Sequence, residues 1–516
     1  MIHNESISDP YNVVDLFFES AQKYPDRTAI VYKNEQASFG ELAQEVNYTA
    51  SHFVTKGISK GDRVLIFVPM SLDLYRILLA LFRIGATAVF LDEWVSKARM
   101  EECCKVAQCK AFIGIPKARV LSWFSYELRK IPIHLGIGYT KNNNSEAIFP
   151  ETNSLDTALI SFTTGSTGIP KAAKRTHGFL REQAKALLEK IQPQENDVDL
   201  QVLPIALLIN LGSGVTSVIA DFKAGKPDSF KPERAIAQIK KHHVNRIIAS
   251  PFFIKQVSRY LIRHNIPLPQ IKKIFTGGAP VFPSEAYVYF QAFSDAEIEI
   301  VYGSTEAEPI SSINARELVN EISKTNNGLK VGKPEPCAEV KIIRIVDAPI
   351  SVKAAEDLEK LEVQGGEIGE IIVSGSHVLR EYYNNEEALH ANKIFIEDTC
   401  WHRTGDSGYL DEQHQLYLTG RCNTLIKYHT QFIAPFIYEN IFQSWEGVEL
   451  GTIVMVNENL TAVIELNDRK RKKAVLSKIG ELDLPIQDIF FIKKIPRDPR
   501  HNSKIEYQDV RKLVKN

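Results

Sequence analysis

Short apolar runs that alternate with longer stretches of helical periodicity constrain this chain more than any other feature. "DRVLIFVP" reads as a strand, and the next segment sets Leu74, Ile77, Leu78, Leu81 and Phe82 at helical spacing. Gly85 then ends the helix before "ATAVFL", the next strand. The order recurs in "VNRIIAS", a helix over residues 252–263 and "IKKIFTGG". Parallel neighbours need a long connection, so this rhythm predicts crossover units of a mostly parallel sheet. From about Gly369 the texture changes: "GEIIVSG", "SGYLDEQHQLYLTGR" and "TLIKY" read as short strands joined by tight turns. The expected fold class is α/β: a large N-terminal domain of mixed, mostly parallel sheets with flanking helices and a β-rich subdomain, then a small α+β domain after Arg421.

At 516 residues the chain exceeds one ordinary domain. Its 62 basic and 63 acidic residues leave no global field to draw in a polynucleotide or an anionic surface, so a small-molecule substrate is expected and nucleic acid is not. The cysteines (Cys103, Cys104, Cys109, Cys337, Cys400, Cys422) show neither CxxC pairing nor zinc spacing, which predicts reduced thiols in a cytoplasm. The opening "MIHNESISDPYNVVDLF" lacks the basic and apolar regions of a secretory leader, and the most apolar run carries two arginines, so no membrane span is expected.

Residues 159–180, "LISFTTGSTGIPKAAKRTHGFL", are dense in small hydroxyls and glycines. "ALISF" reads as a strand and "HGFLREQAKALLEK" as a helix, so the loop between them is expected to join a strand end to a helix start, a common place for anions. Backbone amides freed by Gly165 and Gly168, the hydroxyls of Thr163, Thr164, Ser166 and Thr167, and the Lys171 ammonium would together surround phosphate oxygens. The spacing is not that of a Walker loop, and an ordinary surface loop accounts for the same composition.

"SFTTGSTGIPKAAKRTH" closely resembles the phosphate-loop signature of the adenylate-forming superfamily: acyl-CoA synthetases, peptide-synthetase adenylation domains and luciferases. The resemblance continues in order through "FTGGAP", "VYGSTEAEP", "GEIGEIIVSG", "WHRTGDSGYLDEQHQLYLTGR" and "PRHNSKI". It implies an N-terminal domain over residues 1–421 that binds ATP and the acyl substrate, and a mobile C-terminal domain over 422–516. It also implies ATP and Mg2+ as cofactors, and a reaction opened by carboxylate attack on the α-phosphate.

The resemblance assigns roles that the residues can physically fill. Tyr302 would stack on adenine, Thr305 donate to a phosphate, and Glu306 offer magnesium a hard oxygen ligand, although a turn with a surface carboxylate is the plainer reading. Gly277, Gly278 and Ala279 would let backbone approach a flat base; a strand-ending turn explains the glycines equally well. Asp406 suits the paired ribose hydroxyls, or an Asx turn. Arg421 resembles the arginine that reaches the nucleotide from the domain border. His177 packs near the phosphate loop in either a structural or a functional role. Lys504 resembles the catalytic lysine, an ammonium that offsets repulsion between carboxylate and α-phosphate. Only 12 residues follow it, so no fused carrier-protein domain is expected.

After "DLQVLP", the run "IALLINLGSGVTSVIAD" lacks both the aromatic or histidine gate of many relatives and the aspartate that holds an α-amino group. Ile205, Leu207, Leu208 and Ile209 line either an apolar acyl channel or the core. Past Arg421, Asn423 and Thr430 occupy the places of the hinge aspartate and of a glycine in the thiol-accepting conformation. These departures resemble the β-lactone synthetases of olefin biosynthesis, which adenylate a 3-hydroxy fatty acid and let its own hydroxyl displace AMP. Acyl-CoA formation, with coenzyme A as acceptor, is the alternative; a catalytically inactive nucleotide-binding protein is the alternative of a different class. Oligomeric state is not legible.

Overall fold

The computed structural model describes residues 9–91, 97–140, 149–163, 170–223, 225–321, 328–429, 431–497 and 505–515. The fold is α/β, and the chain divides into two compact units. The first comprises residues 1–249, 305–308 and 375–402; the second comprises 250–304, 309–374 and 403–516.

In the first unit, strands Ile133–Leu135, Ala111–Gly114, Arg63–Phe67, Thr87–Phe90, Thr157–Thr163 and Lys171–Thr176 form one sheet in that order. All neighbours are parallel except the last pair. A second sheet runs Arg246–Ala249, Val198–Gln201, Thr216–Ile219, Thr28–Tyr32, Glu35–Ser38, with only its last pair antiparallel. The expected crossover helix is Leu72–Arg83, and Leu74, Ile77, Leu78, Leu81 and Phe82 are all buried on it. Ser71 caps it by accepting from the Leu74 amide, at 3.3 Å. One apolar cluster gathers this helix, Phe39–Thr55 and the strand residues between them into the main core.

The expected 252–263 helix spans Pro251–His264 in the second unit, followed by the parallel pair Lys273–Gly277 and Glu297–Ser304. The β-rich texture after Gly369 is an antiparallel array of Glu339–Ile343, Gly369–Ser374, Thr399–Leu410, Leu416–Arg421 and Leu329–Pro334. Further on, strands Val448–Val456, Asn459–Leu466 and Asp488–Ile492 pair into a small sheet. Two apolar clusters lie entirely within residues 426–514, so this segment carries its own core. Among the described residues no helix is long and apolar enough to cross a membrane.

One local expectation is corrected. The 159–180 segment is a β-hairpin, with Thr163 opposite Lys171 and strand Lys171–Thr176 standing between the loop and the helix His177–Ile191. That helix start is closed by Thr176, whose hydroxyl accepts from the Phe179 amide at 3.0 Å, so the helix does not begin at the loop. Of the residues read as channel or core, Leu207 on helix Pro204–Ser213 is fully buried in the main core and Ile209 is buried, while Ile205 and Leu208 are half-buried.

Candidate active site

In the first unit the hairpin positions one group of site residues. Lys171 opens its second strand and donates from Nζ to Asn392 Oδ1 at 2.7 Å. Ala172 and Ala173 are wholly buried and small enough to let residues 382–383 run alongside: Ala173 bridges Tyr382, and the Tyr383 amide donates to Ala172 O at 2.8 Å. The same segment touches the 305–308 turn through the Leu379 amide, which donates to Glu306 O at 2.7 Å. Tyr382 is thereby aimed at Glu306 and donates its hydroxyl to Oε1 at 3.1 Å. Burial, then the Glu306 charge, holds that phenol well above its ordinary range, so it stays protonated and able to donate. Glu306 itself is 8% exposed, a carboxylate kept from bulk water rather than a surface one. The Thr305 carbonyl accepts from Arg175 Nη2 at 3.4 Å.

Lys393, the first residue of strand Lys393–Ile396, joins this group without any signal in the sequence. It is 3% exposed, its Nζ lies 5.7 Å from the Tyr382 ring centroid, and among the described residues Nζ has no hydrogen-bond partner. Burial lowers its pKa to about 8; Cys400 and Glu306 oppose the shift, while Lys171 and Arg380 add to it. A buried amine without a partner costs stability unless something it binds offsets that cost.

In the second unit a different group forms around Asp406. Asp406 and Arg421 are direct cross-strand partners, with Arg421 Nε 3.1 Å from Asp406 Oδ1. Tyr302 donates to Asp406 Oδ2 at 2.7 Å, and burial followed by the Asp406 charge holds its phenol well above the ordinary range. Arg421 also donates to Thr404 O at 3.0 Å, and its side chain is half exposed. Gly277 ends its strand where an added Cβ would lie 2.5 Å from Val301 O, and Gly278 turns away at φ +83°. Strand packing and a turn therefore account for the two glycines by themselves; Ala279, the next residue, is half-buried.

The first unit thus holds Lys171, Thr305 and Glu306, and the second holds Gly277, Gly278, Ala279, Tyr302, Asp406 and Arg421. Thr163 is placed by its strand backbone, whereas Thr164, Gly165, Ser166, Thr167, Gly168, Thr430 and Lys504 lie outside the described residues. His177 is fully buried, 5.9 Å from Phe82 in an edge-on pair, its Nδ1 accepting from the Val13 amide at 3.1 Å, and among the described residues its Nε2 has no hydrogen-bond partner. Burial lowers its pKa to about 4 and keeps it neutral. Tyr382, Asn392 and Lys393 are the residues that sequence reasoning missed.

Comparison with known proteins gives this geometry a context. The profile described as AMP-binding enzyme matches residues 17–383. An olefin beta-lactone synthetase of Stenotrophomonas maltophilia is 29% identical over 96% of both chains. O-succinylbenzoate coenzyme A synthetase from Bacillus subtilis, solved with ATP and a magnesium ion, superposes with a TM-score of 0.79 at 22% identity, covering 99% of this chain and 100% of that one. The amide bond synthetase McbA from Marinactinospora thermotolerans superposes with a TM-score of 0.80 at 18% identity, over 97% and 99%. The matched profile spans well over half of the chain, including the hairpin strands Thr157–Thr163 and Lys171–Thr176, Glu306 and Tyr382, and the protein belongs to the AMP-binding enzyme family.

Proposed function

We propose that this enzyme activates a fatty-acyl-like carboxylic acid with ATP and, when the acid carries a 3-hydroxyl, closes it to a β-lactone. The observation that carries this reading is the 29% identity to an olefin beta-lactone synthetase along 96% of both chains. In the first step a carboxylate oxygen attacks the α-phosphorus and pyrophosphate leaves, giving acyl-AMP. In the second, the 3-hydroxyl oxygen attacks the acyl carbonyl, AMP leaves, and the hydroxyl proton is released. Closure to the strained four-membered ring outruns attack by water where the site holds hydroxyl and carbonyl in attack geometry.

Lys171, the loop residues 163–168 and Thr305 are assigned to the phosphates, Lys504 to the charge that develops at the α-phosphate, and Asp406 and Arg421 to the ribose side. Tyr302, Gly277, Gly278 and Ala279 are assigned to the adenine. Glu306 fits a magnesium ion as a buried hard-oxygen ligand whose second task, accepting from Tyr382, fixes its orientation. Such an ion supplies charge neutralisation on the phosphate oxygens. The mobile C-terminal domain is assigned to residues 422–516. Cys104, Cys109, Cys400 and Cys422 carry free thiols, which supports a reducing compartment such as the cytoplasm.

Acyl-CoA formation is the second reading, favoured by the fold shared with a coenzyme A synthetase. The deciding experiment incubates the enzyme with ATP, magnesium and matched simple and 3-hydroxy acids, with and without coenzyme A. A β-lactone carbonyl band in the infrared spectrum from the 3-hydroxy acid alone supports the proposal. Thioester from simple acids, with no lactone from their 3-hydroxy analogues, establishes the second reading instead.

A further inference from the structure

One surface of the first unit inverts the usual patterning of a soluble protein. Along residues 116–130, Val120, Leu121, Trp123, Phe124 and Tyr126 are between 55% and 71% exposed. The two serines among them are buried, Ser122 at 0% and Ser125 at 1%. This inversion is held in place. Ser122 donates to Arg119 O at 2.7 Å, Ser125 donates to Glu101 Oε1 at 3.1 Å, and buried Leu128 pins the far end. Successive backbone bonds from Trp123, Phe124 and Ser125 to residues 120, 121 and 122 fix the turn that presents the two adjacent aromatics. Scattered exposed apolar residues need no explanation; five within seven positions, three of them large aromatics, mark a contact surface.

The charges around the patch indicate what it contacts. Lys117, Arg119, Arg129 and Lys130 are all exposed, and the single acid of the stretch, Glu127, is already paired with Lys130 at 3.1 Å. Exposed tryptophan and phenylalanine in a stretch that also carries four exposed cations match a bilayer interface, where the rings enter the headgroup–acyl boundary and the cations meet anionic headgroups. A protein groove of matching shape would not require the cationic frame.

We propose that the 116–130 surface docks the enzyme peripherally on an anionic lipid bilayer. The proposal does not depend on the substrate reading, because none of these residues belongs to the candidate active site.

The test is co-sedimentation of the full-length protein with vesicles of phosphatidylcholine containing phosphatidylglycerol, against vesicles of phosphatidylcholine alone. Binding is expected to the anionic vesicles and to weaken in molar salt. Trp123→Ser with Phe124→Ser is expected to lower the partition coefficient by about tenfold or more. Lys117→Glu with Arg129→Glu is expected to lower it by about tenfold or more as well. Both variants should keep the wild-type melting temperature, so loss of binding is not loss of fold. Unchanged vesicle binding in both variants overturns the proposal. So does a concentration-dependent dimer in analytical ultracentrifugation that the aromatic variant abolishes, because the patch then serves a second copy of this chain.

Discussion

Around Asp406 the carboxylate is satisfied from within the protein: Tyr302 donates to one oxygen and Arg421 pairs with the other. Around Glu306 the balance differs. Tyr382 satisfies one carboxylate oxygen, but Lys393 holds a buried amine for which the described residues offer no hydrogen-bond partner. The first group is a closed network of the kind that fixes geometry; the second retains a cost of the kind that bound phosphate or a metal-carboxylate arrangement relieves. The difference suggests that the Asp406 group is shaped in advance, while the Glu306 group trades stability for binding.

Glu306→Gln separates charge from shape and should have the largest effect. Glutamine still accepts from Tyr382, so the fold should persist, while carboxylate-dependent ATP–pyrophosphate exchange should fall by about a hundredfold or more. The magnesium concentration needed for half-maximal rate should rise in the same assay. Wild-type exchange with unchanged magnesium dependence removes Glu306 from the proposed role.

Lys393→Met tests the trade itself. Removing an unpartnered buried amine should raise stability by about 1–3 kcal/mol in denaturant titrations, while exchange should fall by about tenfold, by analogy with loss of one preorganised cation. A variant that is less stable yet fully active would make Lys393 a packing residue and erase the contrast between the two groups.

Asp406→Ala should behave in the opposite sense. It strands the Tyr302 hydroxyl and costs about 1–3 kcal/mol of stability. It should also weaken ATP binding in calorimetry, with a smaller effect on turnover once nucleotide is saturating.

The smallest effects concern pH, and the two units should again diverge. His177 has its folded pKa lowered to about 4 from 6.5, so its contribution to stability is complete above 6.5 and is lost as pH falls toward 4. Glu439, buried on helix Pro435–Gln443 and accepting from Thr452 at 2.9 Å and from Tyr507, has its folded pKa raised to about 7 by burial. Its contribution is complete below about 4.5 and is lost as pH rises through 7. Glu439→Gln should flatten the loss on the neutral side and leave the acid side untouched, as read from melting temperatures between pH 4 and 8.

Much of this architecture was legible because periodicity reports burial. The helix Leu72–Arg83 was visible from its apolar stripe, and the strand Arg63–Phe67 from its continuous apolar run. The hairpin strand Lys171–Thr176 was not, because its buried positions are Ala172, Ala173 and Arg175 rather than branched or aromatic residues. Its pattern, "KAAKRT", contains no period-two signal to find. Individual site residues were legible through motif resemblance, but their partners were not. Tyr302 and Asp406 stand 104 positions apart, Glu306 and Tyr382 stand 76 apart, and only the fold chooses such pairs. Lys393 was one cation among 62 basic residues until its burial set it apart.

Carboxylate-dependent ATP–pyrophosphate exchange across a panel of acids tests the central claim most directly, because it reads adenylation before any acceptor is involved. Exchange that requires magnesium and appears only with medium- or long-chain acids, 3-hydroxy acids among them, is the predicted result. Measurable ATP binding with no exchange for any acid in the panel would contradict it and leave a nucleotide-binding protein without the chemistry.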